Sequence, residues 1–356
     1  MKKSDIIVGI LTGIFAGICT VILFDYSYLT TMVLLLLFMF IHLFMHELGH
    51  LIAGLCSGYH FVSFRIFSWI LIRKDDKYQW KKLNMPFFAG QCLMEPTKSL
   101  EETHFILYNL GGVLMNVFLS IISLIFCFIF QDFKAILSAF ALIGILIVLI
   151  NGLPFLGLSN DGANLQQMLK SDIVRKATYN QLKINALQTQ GMRIKDMDAS
   201  LFFETTKVER QKELVSAIAL FKACYMMDQG NIQEAYAEMK MLLEEDNAIA
   251  DIHTINLKME CAFCEMMTNN DKQMIDNYLD KNTWKMLKAM KGQLSVLRFQ
   301  YAYALLVEND KPKATKILED FKKYEASSPF EGEIIAERDW ITMIDEKYQA
   351  KCVSVQ

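Results

Sequence analysis

His46, Glu47 and His50 form the pattern H-E-x-x-H in the run His46-Glu47-Leu48-Gly49-His50. On a helix, residues four apart share a face, so the two imidazoles can hold one metal ion together. Glu47 then stands where it can take a proton from a metal-bound water. Such a water hydrolyses peptide bonds. A catalytic zinc also needs a third protein ligand and an open position for water. Asp161 is the carboxylate on offer, in Asn151-Gly152-Leu153-Pro154-Phe155-Leu156-Gly157-Leu158-Ser159-Asn160-Asp161-Gly162. The plain alternative there is a helix-ending loop with an Asp-Gly turn.

The elements that must position these groups are apolar. Leu34-Leu35-Leu36-Leu37-Phe38-Met39-Phe40 leads into the motif and suits lipid. A membrane span needs about 20 apolar residues. Four segments meet this, at about 6–24, 29–54, 105–130 and 135–153. The first lacks a cleavage site of small residues and is read as an uncleaved span, an extra helix within residues 1–28. Lys2 and Lys3 precede it, and Arg65, Arg73, Lys74, Lys77, Lys81, Lys82 and Lys98 lie between spans two and three. The intervening outer loops are nearly free of such charge, so the N-terminus, the 59–103 segment and the C-terminal part are predicted to be cytosolic. The second span then runs inward and carries His46 and His50 in its cytosolic half. The fourth also ends on that side, bringing Asp161 to their level. Pro154, Gly152 and Gly157 break the helix before it, and irregular backbone at membrane depth requires protein or a water-filled cavity around it. Ionisable groups in a span are costly and mark function. His42, one turn before the motif, is read as a hydrogen-bonding residue inside the bundle.

Span three carries Asn109-Leu110-Gly111-Gly112-Val113-Leu114-Met115-Asn116. Gly111 and Gly112 permit close helix approach. Asn116 must find a polar partner: a substrate carbonyl, an oxyanion, or a neighbouring helix. Between spans two and three, residues 61–94 read as strands, rich in β-branched and aromatic residues from Phe61 to Ile72. A polar turn follows at Lys74-Asp75-Asp76-Lys77, and a break at Asn84-Met85-Pro86. Gly90 marks a place where another backbone can approach closely.

These three ordered motifs resemble the site-2 protease family of intramembrane metalloproteases: H-E-x-x-H at His46–His50, G-G-x-x-x-N at Gly111–Asn116, and N-x-x-P followed by D-G at Asn151–Gly162. The resemblance covers residues 29–168. It implies one zinc ion per chain, bound by His46, His50 and Asp161, with Glu47 activating water. It implies a substrate-facing set of Asn116, Gly111, Gly112, Asn151 and Gly90. It implies a three-helix core with a membrane-associated β-sheet whose edge pairs with an unwound substrate, or, on the plain alternative, a solvated hairpin joining two spans. The chain departs from the common pattern in one respect: Pro154 and Asp161 are seven residues apart, with Asn160 before Asp161.

The chain of 356 residues is 53% hydrophobic with a net charge of -3, which gives no reason to expect a nucleic-acid partner. The charge is concentrated after residue 170. The expected architecture is therefore mainly α: a polytopic membrane protein of about four helices, with the protease core over 29–170 and a soluble all-α domain over 171–356. Polar breaks at Asp228-Gln229-Gly230-Asn231, Asn269-Asn270-Asp271 and Glu308-Asn309-Asp310 recur about every 40 residues, a spacing that suggests stacked helical hairpins. Parts of this region resemble tetratricopeptide repeats, which implies a groove for a cytosolic protein or peptide; the alternative is an irregular helical domain that stabilises or dimerises the protein. The eight cysteines are scattered, and the lone Cys261-x-x-Cys264 reads as two reduced thiols on a helix. The expected function is a zinc-dependent endopeptidase of a bacterial-type plasma membrane. It would cleave membrane segments of single-pass proteins, signal-peptide remnants or peptide precursors. A catalytically inactive scaffold is the alternative, which an intact Glu47 disfavours. A metal transporter is disfavoured because the polar groups cluster at one depth.

Overall fold

The computed structural model describes residues 3–82, 90–154, 160–245, 249, 251–326 and 328–354. Two readings touch residues outside these: the break at Asn84-Met85-Pro86 and the stretch around Gly157. The chain forms two compact units, residues 1–66 with 89–175, and residues 67–88 with 176–356.

The first unit is built from apolar helices. α1 (Lys3–Ile22), α2 (Tyr28–Cys56), α3 (Phe105–Ile129) and α4 (Lys134–Gly152) are followed by the short α5 (Asp161–Lys170). Among the described residues three helices are long and apolar enough to cross a membrane: Tyr28–Cys56, Phe105–Ile129 and Gln131–Gly152. The apolar part of α1, Val8–Ile22, is shorter. Ser27 starts α2, its Oγ accepting from the Thr30 backbone N–H at 3.2 Å, which satisfies one of the free donors of the first turn. Leu36, Phe118 and Phe128 stand 64%, 57% and 83% exposed, an outer surface that water would not favour. Inside, Cys19 of α1 and Leu23 just after it pack with Phe38 of α2 and Ala139, Ile143 and Ile147 of α4. α2 and α3 cross closely at paired glycines: a Cβ on Gly111 would lie 2.5 Å from the Gly49 carbonyl oxygen. Any larger residue at either position would push the helices apart.

The segment read as strands over 61–94 forms four strands. β1 (Tyr59–Ile66), β2 (Trp69–Lys74), β3 (Lys77–Lys82) and β4 (Gly90–Pro96) form the antiparallel pairs β1–β4 and β2–β3. The run from Phe61 to Ile72 is divided because Phe67 adopts a left-handed φ of 50°. β1 pairs with β4 from Tyr59–Pro96 to Ile66–Gly90, with a bulge between Phe61 and Ser63. β4 lies on α2, where Met94 fills the space left by Gly54.

The β2–β3 hairpin belongs to the second unit. Asp75 and Asp76 turn it with φ of 48° and 58°, the left-handed pair that a two-residue hairpin turn requires. Lys74 pairs with Glu331, and Lys81 donates to the Ser328 carbonyl at 3.2 Å. The rest of this unit is helical: α6 (Asp172–Thr189), α7 (Glu213–Asp228), α8 (Ile232–Glu244), α9 (Asp251–Met267), α10 (Lys272–Tyr278), α11 (Lys281–Ala289), α12 (Leu294–Ala302), α13 (Lys311–Glu325) and α14 (Glu331–Ser354). Helices end at Gly230, Asn270 and Asn309, each with positive φ, within the three polar breaks of the sequence. The core draws on Ala223, Met239, Phe263, Phe299 and Ile344. Cys261 and Cys264 are fully buried in it, and burial pushes both thiols up, so they stay un-ionised.

Arg298 is buried among these helices, with Nη2 2.6 Å from Glu260 Oε1 and Nε 2.7 Å from Glu337 Oε2. Removing its charge would strand two carboxylates. Arg298→Met is therefore expected to destabilise the protein by about 3–5 kcal/mol. Thermal unfolding of the purified full chain checks this, and a midpoint equal to wild type would contradict it.

Candidate metal centre

α2 carries His46, Glu47 and His50 on one buried face, and α5 begins with Asp161. His46 Nε2 lies 3.0 Å from Asp161 Oδ2, His50 Nε2 lies 3.3 Å from the same oxygen, and the two Nε2 atoms are 3.3 Å apart. Four ligands at tetrahedral zinc distances of about 2.0–2.1 Å would stand about 3.3 Å from one another. The three atoms thus have the spacing of one face of such a site, and this buried group could hold a metal ion.

The surroundings aim these atoms inward. His50 Nδ1 is 2.8 Å from the Tyr108 carbonyl oxygen, which can only accept, so Nδ1 carries the hydrogen and Nε2 presents a lone pair. Asp161 adds an anionic oxygen. Burial alone would raise its carboxyl, but hydrogen bonds and charge from His46 and His50 outweigh this and bring it down to about 2. Its place at the N-terminus of α5 adds a favourable helix dipole. Atoms this close require a metal ion or a ring N–H between them.

Asn160 joins the ends of two helices. Its Nδ2 donates to the Ile150 and Leu153 carbonyls at 2.6 and 2.7 Å, and its Oδ1 accepts from Ala163 N–H at 2.8 Å. One side chain thus binds the frayed end of α4 and caps α5. Gly162 lets α5 start against the Gly152 carbonyl, where a Cβ would clash. The sequence signal for this cap was an Asn directly before Asp161-Gly162, a common helix-starting residue.

Glu47 is buried beside the three ligand atoms and outside the group that could ligate. It takes a backbone hydrogen bond from Cys92 on β4. Gly90 is pressed against it: a Cβ there would lie 2.7 Å from Glu47 Oε1. Tyr108 ties α3 to the same strand through its hydroxyl, which donates to the Cys92 carbonyl at 2.9 Å.

The other sequence-predicted residues are placed as follows. Gly112 faces His46, and a Cβ there would lie 2.5 Å from Nε2. Gly111 serves the helix crossing. Asn116 is fully buried, with one end of its amide 3.0 Å from His46 Nδ1 and the other 3.3 Å from His42 Nδ1. Asn151 donates to the Ile147 carbonyl one turn back on its own helix, at 3.2 Å. Gly112→Ala is expected to displace the His46 ring and cut metal binding at least as much as loss of an outer hydrogen bond, about 10–100-fold. Metal titration of the purified variant checks this, and wild-type affinity would contradict it.

No family model matches this chain, and neither does any curated protein or solved structure. The chemistry of the site is read from its own residues.

Proposed function

We propose that this chain is a zinc-dependent endopeptidase that cleaves its substrate within the membrane, a member in kind of the site-2 proteases that its motifs resemble. The observation that carries the reading is the convergence of His46 Nε2, His50 Nε2 and Asp161 Oδ2 with buried Glu47 beside them, both histidines and Glu47 on a helix apolar enough to cross a membrane. His46, His50 and Asp161 would hold the ion. A zinc ion bound there supplies a water with its pKa lowered to about 7 and a Lewis acid for the scissile carbonyl. Glu47 would take up a proton at its carboxylate and release it to the leaving amine. The Cys92 N–H and the closeness of Gly90 hold the carboxylate in one place while it does so.

A helical substrate hides its peptide bonds and must unwind to be cut. β4 is an edge strand, so its outer side offers backbone groups to an extended peptide. Gly90, beside Glu47, sits at the end of that edge. The substrates on this reading are single-pass proteins, signal-peptide remnants or peptide precursors. α1 counts as a fourth span, with both termini cytosolic in a plasma membrane, and the helical unit takes a cytosolic peptide or protein.

The test compares membrane proteomes of cells carrying wild-type protein and Glu47→Gln. Uncut single-pass proteins or remnants are expected to accumulate in the variant. Identical proteomes would contradict the reading.

A further inference from the structure

One buried polar residue near the centre has no part in the chemistry above. His42 lies one turn before His46 on α2, fully buried, with its ring tilted against that of Phe140 on α4, the centroids 4.3 Å apart. Its Nε2 is 3.0 Å from the Phe140 backbone carbonyl oxygen, and its Nδ1 is 3.3 Å from the Asn116 side-chain amide. The other end of that amide reaches His46 Nδ1 at 3.0 Å. A continuous line of hydrogen bonds therefore runs from a backbone carbonyl on α4, through α2 and α3, to the back of the His46 ring.

The line has a direction. A carbonyl oxygen only accepts, so His42 Nε2 carries a hydrogen. An imidazolium here would be a buried charge with only an amide and a carbonyl as partners, which is costly, so the ring is neutral and its Nδ1 accepts. As placed, Asn116 Oδ1 faces His42 and Nδ2 faces His46; an accepting His42 Nδ1 requires the amide turned over, with the NH2 beside His42 and the oxygen beside His46. The two ends are interchangeable in heavy-atom position, and the hydrogens decide between them. An oxygen facing His46 Nδ1 accepts, so Nδ1 carries the hydrogen and Nε2 is left with its lone pair, 3.0 Å from Asp161 Oδ2. His50 reaches the same tautomer by a shorter route, directly from the Tyr108 carbonyl.

We infer that His42 is a positioning residue which, through Asn116, fixes His46 in the tautomer and orientation that bind metal. This rests on the metal-binding reading of His46, His50 and Asp161. The fold makes specific room for it. Gly144 on α4 lies against the His42 ring and the Ser120 hydroxyl, where any Cβ would collide with both. Ser120 in turn bonds the Asn116 backbone carbonyl at 2.8 Å. Hydrogen bonds to the second nitrogen of a ligating histidine are worth about 10–100-fold in metal affinity.

The test uses the full chain purified in detergent, in the Glu47→Gln background so that no cleavage interferes. Zinc affinity is measured by competition with a chromogenic chelator, and the coordination sphere by the visible absorption of bound Co²⁺. His42→Leu is expected to weaken zinc binding about 10–100-fold and to alter the Co²⁺ spectrum. His42→Gln, whose amide can donate to Phe140 and accept from Asn116, is expected to restore most of the affinity and the parent spectrum. Asn116→Leu is expected to cause the same loss, with His42→Leu adding little to it. Gly144→Ala, which crowds the ring without removing a donor or acceptor, gives a second handle if His42→Leu fails to fold, and is expected to weaken binding in the same direction. Parent affinity and spectrum in His42→Leu or in Gly144→Ala would overturn the inference, as would a loss that Gln does not repair. A parent protein that binds no metal would instead overturn the metal reading itself.

Discussion

Glu47→Gln is expected to lower peptide cleavage by about 10²–10⁴-fold while the metal stays bound. The substitution keeps the size and shape of the side chain. Its amide oxygen can still accept the Cys92 N–H, and the contact with Gly90 is unchanged in volume. What it loses is the ability to take a proton. The ligand atoms on His46, His50 and Asp161 are complete without Glu47, so zinc affinity is expected to move little. Cleavage of a membrane-embedded substrate by purified protein in vesicles, read beside zinc content, separates the two effects. If cleavage and zinc disappeared together, Glu47 would be a ligand and its assignment as base would fail.

The second large effect is expected at Asp161. Asp161→Ala removes the one anionic ligand and leaves two neutral imidazoles. The loss of metal affinity should exceed the 10–100-fold typical of an outer hydrogen-bond partner, and cleavage should vanish with the metal. The fold is expected to survive, because Asn160 rather than Asp161 binds the end of α4 to α5. Folded protein that holds no metal is thus the predicted outcome. It contrasts with Arg298→Met, where stability falls and the metal centre is untouched.

The pairing of His46 with His50 was legible in the sequence because its geometry is local. Residues four apart on α2 must share a face, whatever packs around them. Asp161 was legible as the carboxylate that follows the last apolar segment, and the start of α5 brings it beside His46 and His50. The rest depends on rotation and crossing of helices, which spacing does not encode. Asn116 reads equally well as a substrate contact or as a partner for a neighbouring helix. Only the closeness of α2 and α3 at Gly49 and Gly111 turns its amide onto His42 and His46. The carbonyls of Tyr108 and Phe140 carry no sequence signal at all, because every residue has one. The grouping of the β2–β3 hairpin with the helical unit was hidden for a similar reason: Lys74 and Glu331 meet from more than 250 residues apart.

The most direct test of the central claim is elemental analysis of the purified full chain. The account predicts about one zinc per chain in the wild type and in Glu47→Gln, and close to none in folded Asp161→Ala. Equal zinc in Asp161→Ala and wild type, or no metal in the wild type, would contradict it.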